Sequence, residues 1–300
     1  MIDVSPLIDV SVIAPIHNEE GNIEPLCEGI RAAVKACRAT FEIIFVNDAS
    51  TDNSLALMKR LQDRYAEFHY VDLKSNVGEN WALLAGVSRA RGQVLVSIDG
   101  DYQNDPAYIP ALLEMLSNGY RVVSGRRDQR VGSRWSRLLP SQIANTLIRV
   151  VSGVGVHDCG CGLKAYRREV IANKFVPEGF MNRFSPVALG VRPDEFCEVE
   201  IVDRPRTYGA SHYGLSRVFF VLRDLLVIWF AVRGPAKWLE RFRWLTGLLF
   251  AACLWFAFHR RFGIALSLAF LTTIAWANIW NLARFVDAQK NPRFEIREYR

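Results

Sequence analysis

Val94-Leu95-Val96-Ser97-Ile98-Asp99-Gly100-Asp101-Tyr102-Gln103-Asn104-Asp105-Pro106 is the stretch whose reading decides the fold. Its β-branched and apolar residues, Val94, Leu95, Val96 and Ile98, predict a buried strand that delivers Asp99 and Asp101 at its carboxyl end. Gly100 allows a sharp turn, so that both carboxylates and the amide of Gln103 face one small volume. Crowded hard oxygens are what Mg²⁺ or Mn²⁺ accepts, with substrate phosphates completing the shell. The plainer alternative is a turn whose acids cap the next helix, which opens near Asn104, Asp105 and Pro106. Short D-x-D patterns are common in surface turns, so the surroundings must decide.

Strand and helix alternate upstream. Val10 to Ile16 reads as a first strand, followed by the polar loop His17-Asn18-Glu19-Glu20 and a helix capped by Asn22. Phe41 to Val46 predicts a second strand with Asp48 just beyond it, and Asp52 opens the next helix. A third strand, Phe68 to Leu73, leads through Gly78 into a helix containing Trp81, Leu84 and Val87. The rhythm predicts an α/β fold with a parallel, doubly wound sheet whose ligands collect at the carboxyl ends of the strands. Glu19, Asp48, Asp99 and Asp101 all fall at such ends. Glu19 also reads as solvated loop, and Asp48 and Asp52 as turn or cap residues. Asp48 ends a continuous apolar strand that needs no cap, which favours a ligand contact.

Composition sets the outer limits. The 300 residues carry a net charge of +6 and a mean hydropathy of +0.07, which is apolar for a wholly soluble protein. Residues 204–300 hold 15 basic and 5 acidic side chains, a net +10, against 22 and 26, a net −4, in residues 1–203. A basic, apolar final third behind a mildly acidic front implies a domain tethered to an anionic membrane face, and no nucleic-acid partner is expected. Six scattered cysteines, with only Cys159 and Cys161 close, read as reduced thiols. The first residues have no basic flank and no long apolar core, so no cleaved signal peptide is expected.

Seven blocks, APIHNEEGNI, VNDASTDNS, NVGENWALLAG, SIDGDYQNDP, DCGCGLKAYRREV, MNRFSPVAL and RTYGASHYGLSR, occur in the order seen in family-two glycosyltransferases. More narrowly, the chain resembles the polyprenyl-phosphate glycosyltransferases, the group of dolichyl-phosphate mannose synthase and its bacterial relatives. The resemblance implies a GT-A fold, a Rossmann-like sheet that binds a nucleotide diphosphate sugar and a divalent cation. It makes Pro15, Glu19 and Asp48 contacts to base and ribose, Asp99 a nucleotide-side acid, and Asp101 and Gln103 the metal holders. His17 stands where the family often carries an aromatic such as Tyr, which leaves the base open. Asp158, in Asp158-Cys159-Gly160-Cys161-Gly162, is either a catalytic group or the brace of a glycine-rich turn. Arg206 and His212 occupy a block the family closes over the diphosphate, with His212 replacing the usual Lys.

Arg126, Arg127, Arg130, Arg134 and Arg137 lie within twelve positions. Such a run is ordinarily solvated surface, or binds anionic headgroups. The resemblance makes Arg126, and Arg137 with Ser141, the grip on the phosphate of a polyprenyl phosphate acceptor, a task suited to the planar guanidinium fork. A lipid monophosphate is already ionised and needs no base, so in-line attack predicts inversion at the sugar.

Residues 215–243 read as interfacial amphipathic helices, with Arg217, Arg223 and Asp224 too central for a span. Residues 244–284 read as two transmembrane helices with His259-Arg260-Arg261 between them, and residues 285–300 as a basic cytoplasmic tail. Basic residues crowd both outer flanks of this hairpin, which puts the catalytic domain and both termini in the cytoplasm at the inner membrane. Family analogy also points to a homo-oligomer. The competing enzyme reading is a membrane-anchored transferase acting on a saccharide or lipid hydroxyl, which requires a base that the sequence does not offer. The non-enzymatic reading is a scaffold that binds nucleotide or anionic lipid, against which Asp99, Asp101 and Gln103 stand intact.

Overall fold

The structure, a computed structural model, describes residues 8–127, 154–171, 189–204, 230 and 234–300. The strands are β1 (Val10–Ile16), β2 (Phe41–Asn47), β3 (Phe68–Leu73), β4 (Val94–Ser97), β5 (Val122–Arg127), β6 (Lys164–Arg167), β7 (Phe196–Ile201) and β8 (Ile296–Tyr299). They form one sheet in the order β7-β5-β6-β4-β1-β2-β3-β8. Strands β4, β1, β2 and β3 are parallel, as the alternation predicts, and β5 runs parallel to β7. The sheet as a whole is mixed, because β6 is antiparallel to β4 and β5, and β8 to β3.

The helices of this part are α1 (Ile23–Ala36), α2 (Ser54–Arg64), α3 (Glu79–Arg89), α4 (Ile109–Ser117) and the single turn α5 (Arg168–Ile171). Strand alternation sends Val12, Phe45 and Val96 into one apolar layer with Leu26 and Ile30 of α1, Met58 of α2 and Leu112 of α4. Ile13 and Val46 face the other way, toward α3, whose Gly86 lies so close that a Cβ would come within 2.4 Å of Ile13. Helices therefore cover both faces, and the central strands are near-continuous apolar runs for that reason. Asn22 stands at the head of α1, but its side chain donates to Glu19 Oε2 (2.7 Å) instead of capping the helix. Asp105 does cap, accepting from the Ala107 amide at 2.9 Å ahead of Pro106.

The chain divides into two compact units. The sheet and its helices belong to the first, which takes in Arg293–Arg300; of the described residues, the second holds 230 and 234–292. In the second, α6 (Pro235–Phe258) and α7 (Phe262–Lys290) form a helical hairpin. Gly234 at φ 100° and Pro235 start α6, with nothing to interrupt the helix before Phe258. Residues 235–243, expected to lie outside the span, are thus the first turns of the same helix. Leu248, Phe250, Leu254, Leu266 and Phe270 are exposed along the pair, and both helices are long and apolar enough to cross a membrane. The expected basic tail is also corrected: residues 285–290 continue α7, and residues 296–299 are strand β8 of the sheet. Charge obscured that strand, since Arg297 and Glu298, the middle two residues of Ile296-Arg297-Glu298-Tyr299, are both charged at an edge.

Candidate active site

The loops that follow β1, β2 and β4 come together at the carboxyl edge of the sheet. Each holds one non-glycine residue in the left-handed region: Asn18 (φ 56°), Ala49 (φ 52°) and Tyr102 (φ 56°). Backbone of this kind is retained where the surroundings over-determine it, often at functional sites. The first two loops are zipped by reciprocal bonds. Asn18 Oδ1 accepts from the Thr51 amide (2.7 Å), the Asn18 amide donates to Ser50 Oγ (3.1 Å), and the Glu20 amide donates to Asp52 Oδ2 (3.1 Å). The Asn53 amide in turn donates to Glu20 Oε2 (3.0 Å), and the Glu19 amide to Ser54 Oγ (3.1 Å). Asp52 is therefore a cross-link between loops, and α2 begins two residues later.

Asp48 is buried and its carboxylate is engaged, with Oδ1 accepting from the Val77 amide (2.7 Å) and Oδ2 from the Gly78 amide (2.8 Å). Burial pushes its carboxyl pKa up, against the pull of those two amides. Asp48 thus holds the loop that leads into α3. Its carbonyl accepts from His17 Nδ1 at 2.8 Å, which requires the proton on that nitrogen, and from Asn76 Nδ2 at 3.3 Å. Pro15 lies on β1 just before these groups, and its carbonyl explains Gly100: a Cβ there would sit 2.5 Å from it. Close approach, and not an unusual dihedral, is what position 100 requires; the left-handed residue of the turn is Tyr102.

Asp99 and the glycine-rich block meet directly. A Cβ on Gly162 would lie 1.9 Å from Asp99 Oδ1, and the Gly162 carbonyl is held from behind by Ser97 Oγ at 2.9 Å. Asp101 Oδ1 accepts from the Gln103 amide (3.1 Å), closing the turn. Arg127, read from sequence as one of a solvated run, is mostly buried and grips Asp158 with both arms, Nε to Oδ2 at 2.6 Å and Nη2 to Oδ1 at 2.9 Å. Its Nη1 lies 3.7 Å from Asp203, which also accepts from Asn104 Nδ2 at 2.9 Å. Burial works against the Arg127 charge, and the Asp158 carboxylate outweighs it, so the guanidinium pKa is raised. Burial likewise raises the Asp203 carboxyl, with Arg127 opposing and Asp158 and Asp101 reinforcing the shift.

Four acids, Asp99, Asp101, Asp158 and Asp203, and the mostly buried guanidinium of Arg127 thereby line the edge beyond β4, β5 and β7. Asp203 and Arg127 escaped the sequence reading. Asp203 carried the same signal as Asp99 and Asp101, an acid just past a parallel strand. Arg126 points to the opposite face of β5 and pairs with the exposed Glu200 on β7. Arg137, Ser141, Arg206 and His212 lie outside the described residues.

The donor set suits a hard cation. Among the described residues no three His, Cys, Asp or Glu side chains cluster as a metal cage. The oxygens present are carboxylates of one turn, the Gln103 amide and the buried Asn104 Oδ1, which has no hydrogen-bond partner among the described residues. A site of few protein oxygens leaves coordination positions for water and phosphate, as Mg²⁺ and Mn²⁺ prefer.

The mixed α/β sheet, with an acidic turn at its carboxyl edge, is of the GT-A type. The chain belongs to the family described as "Glycosyl transferase family 2", whose profile matches residues 11–175. It is similar to dodecaprenyl-phosphate galacturonate synthase of Rhizobium johnstonii, 36% identical over 234 residues, or 77% of this chain and 69% of that protein. It is also similar to undecaprenyl-phosphate 4-deoxy-4-formamido-L-arabinose transferase of Pseudomonas paraeruginosa, 34% identical over 222 residues, or 74% of this chain and 65% of the relative. The aligned stretch thus spans about two thirds of each relative's length. Among solved structures, glucosyl-3-phosphoglycerate synthase from Mycobacterium tuberculosis in complex with Mn²⁺ and UDP-glucose shares the fold, with a TM-score of 0.55 at 19% identity over 75% of this chain and 79% of that one.

Proposed function

We propose that this protein transfers a sugar, with inversion, from a nucleotide diphosphate sugar to polyprenyl phosphate, undecaprenyl phosphate in particular. The observation that carries the reading is Asp99 pressed against Gly162, which brings the D-x-D turn and the Asp158 block into one volume. The polyprenyl-phosphate relatives support the acceptor class. Asp101 and Gln103 would hold a divalent cation, Mg²⁺ or Mn²⁺, that neutralises the diphosphate and stabilises the departing nucleoside diphosphate. Pro15, His17, Glu19 and the loop clamped by Asp48 form the base and ribose side, and Asp99 faces the nucleotide. Asp158 acts as a positioning residue, because Arg127 engages both of its oxygens and the Gly160 amide donates to Oδ1 at 3.1 Å. To take the acceptor phosphate, with Arg137 and Ser141 assisting, Arg126 would leave Glu200 and swing around the end of β5 from the face opposite Asp158, while Arg206 and His212 attend the diphosphate. An ionised phosphate needs no proton removed, so the residues' work is orientation and charge stabilisation.

Both helices of the hairpin span the bilayer in this reading. Arg241 over Trp238 and Arg284 over Trp280, each at 4.7 Å, form cation–π pairs at the start of α6 and toward the end of α7, the ends expected at the same interface. A strand cannot join a sheet across a bilayer, so the pairing of β8 with β3 supports a segment after α7 on the side of the catalytic unit. The positive-inside bias supports a cytoplasmic assignment for that side.

The test is a screen of UDP- and GDP-sugars with Mn²⁺ and undecaprenyl phosphate, reading the lipid product by mass. A product one sugar heavier than the acceptor is expected, and its absence across the screen would refute the reading. Gly162→Ala should lower kcat/KM on the order of 10²-fold, since either Asp99 or the Cys161–Leu163 backbone must move by about an ångström. Circular dichroism should show the fold retained. Activity within threefold of wild type would mean that Asp99 has no fixed place in the reaction.

A further inference from the structure

The edge strand β8 is bulged at one residue. Tyr299 pairs with Val71 and Glu298 with Asp72, but Leu73 pairs with Ile296, which leaves Arg297 as the extra residue. Bulges re-aim a side chain, and here the guanidinium turns onto Asp72. Asp72 is 2% exposed, and its Oδ2 accepts from Arg297 Nη1 at 3.2 Å. The second arm, Nη2, donates to the Lys74 carbonyl at 3.3 Å. Asp72 Oδ1 accepts from Asn47 Nδ2 at 2.7 Å, and Asn47, also buried, uses its own Oδ1 to accept the Ser50 amide at 3.1 Å. Ser50 Oγ then receives the Asn18 amide, so the series ends in the two zipped loops of the donor side.

We infer that Arg297 is a positioning residue for the donor pocket, fixing the 48–54 loop through Asp72 and Asn47. This rests on the functional reading above for what the loop binds, but not for the coupling itself. The physical logic is charge compensation. Without Arg297, the buried Asp72 carboxylate would keep, among the described residues, the Asn47 amide alone, and it would turn toward solvent. That turn loosens its hold on Asn47, and with it the acceptor of the Ser50 amide. The segment that follows the second apolar helix is then part of the pocket's frame, although 225 positions separate Asp72 from Arg297.

Hydrogen exchange on the full-length protein without ligand tests the coupling. Arg297→Ala should speed exchange of the Ser50 and Thr51 amides roughly fivefold, with Arg297→Lys intermediate. The Gly92 amide, held by Ser11 Oγ at the other end of the sheet, should not change. Asp72→Asn removes the charge that Arg297 compensates, so adding Arg297→Ala to it should have little further effect on Ser50. Titration with UDP and with GDP, each with Mn²⁺, should show the tighter of the two weakened roughly fivefold in Arg297→Ala, while the KM for undecaprenyl phosphate is unchanged. Unchanged Ser50 exchange, or a rise shared equally by Gly92, would overturn the inference. Binding of neither nucleotide by the wild type would count against the functional reading while the exchange result still decides the coupling.

Discussion

Asp101→Asn should lower turnover on the order of 10³-fold while the sheet stays folded. The substitution is chosen because Asp101 also closes its own turn through the Gln103 amide. Asparagine keeps an Oδ1 that can accept that bond, so geometry is preserved and only the charge is lost. Asp101 is proposed to hold a cation against two phosphates, and a neutral amide is a much poorer partner for a hard divalent ion. Chelation with EDTA should bring the wild type to the same low level, and added Mn²⁺ should restore the wild type but not the variant. The sugar-transfer assay gives the rates and circular dichroism the fold. A variant within tenfold of wild type, or a wild type indifferent to EDTA, would remove the cation from this account.

Arg127→Met should destabilise the catalytic unit by roughly 3–5 kcal/mol, the usual consequence of taking one partner from a buried ion pair. Two carboxylates, Asp158 and Asp203, would then face each other without their shared cation. The pH dependence follows from sign. Burial already raises the Asp203 carboxyl against the opposition of Arg127, and loss of Arg127 raises it further. A carboxyl whose folded pKa exceeds its unfolded value binds its proton more tightly when folded. The variant's deficit should therefore be smallest in acid and grow as pH rises through the folded pKa. Urea unfolding at pH 5 and pH 8 should show the gap to wild type widening with pH. Asp158→Asn added to Arg127→Met should recover part of the loss, because one stranded charge is gone. A gap that is flat with pH would mean that the carboxylates are not held as charges by Arg127.

The strands that build the floor of the site were legible because they are buried on both faces and read as unbroken apolar runs. Asp99 and Asp101 were legible for a related reason, since acids directly after such a run have little structural excuse. Sequence could not say that Asp48 spends its carboxylate on the Val77 and Gly78 amides, because that depends on a loop 29 positions away. Arg127 was hidden among arginines that look alike in a string and separate only when strand alternation sends Arg126 and Arg127 to opposite faces. Strand β8 was missed because half its residues are charged, and an edge strand needs only one apolar side. Asn47 and Asp72 drew no attention, since each looks like the polar end of a strand until their side chains are seen to meet.

The return of the last eight residues, Arg293–Arg300, to the sheet bears on how a water-soluble version of this enzyme should be made. Cutting the gene after Gly214 discards the hairpin and β8 together. Strand β3 would then present a bare row of amides and carbonyls along Val71 and Leu73, an invitation to pair with neighbouring molecules and precipitate. A fragment fit for crystallisation should instead have residues 215–292 excised and the closing strand joined back through a flexible linker.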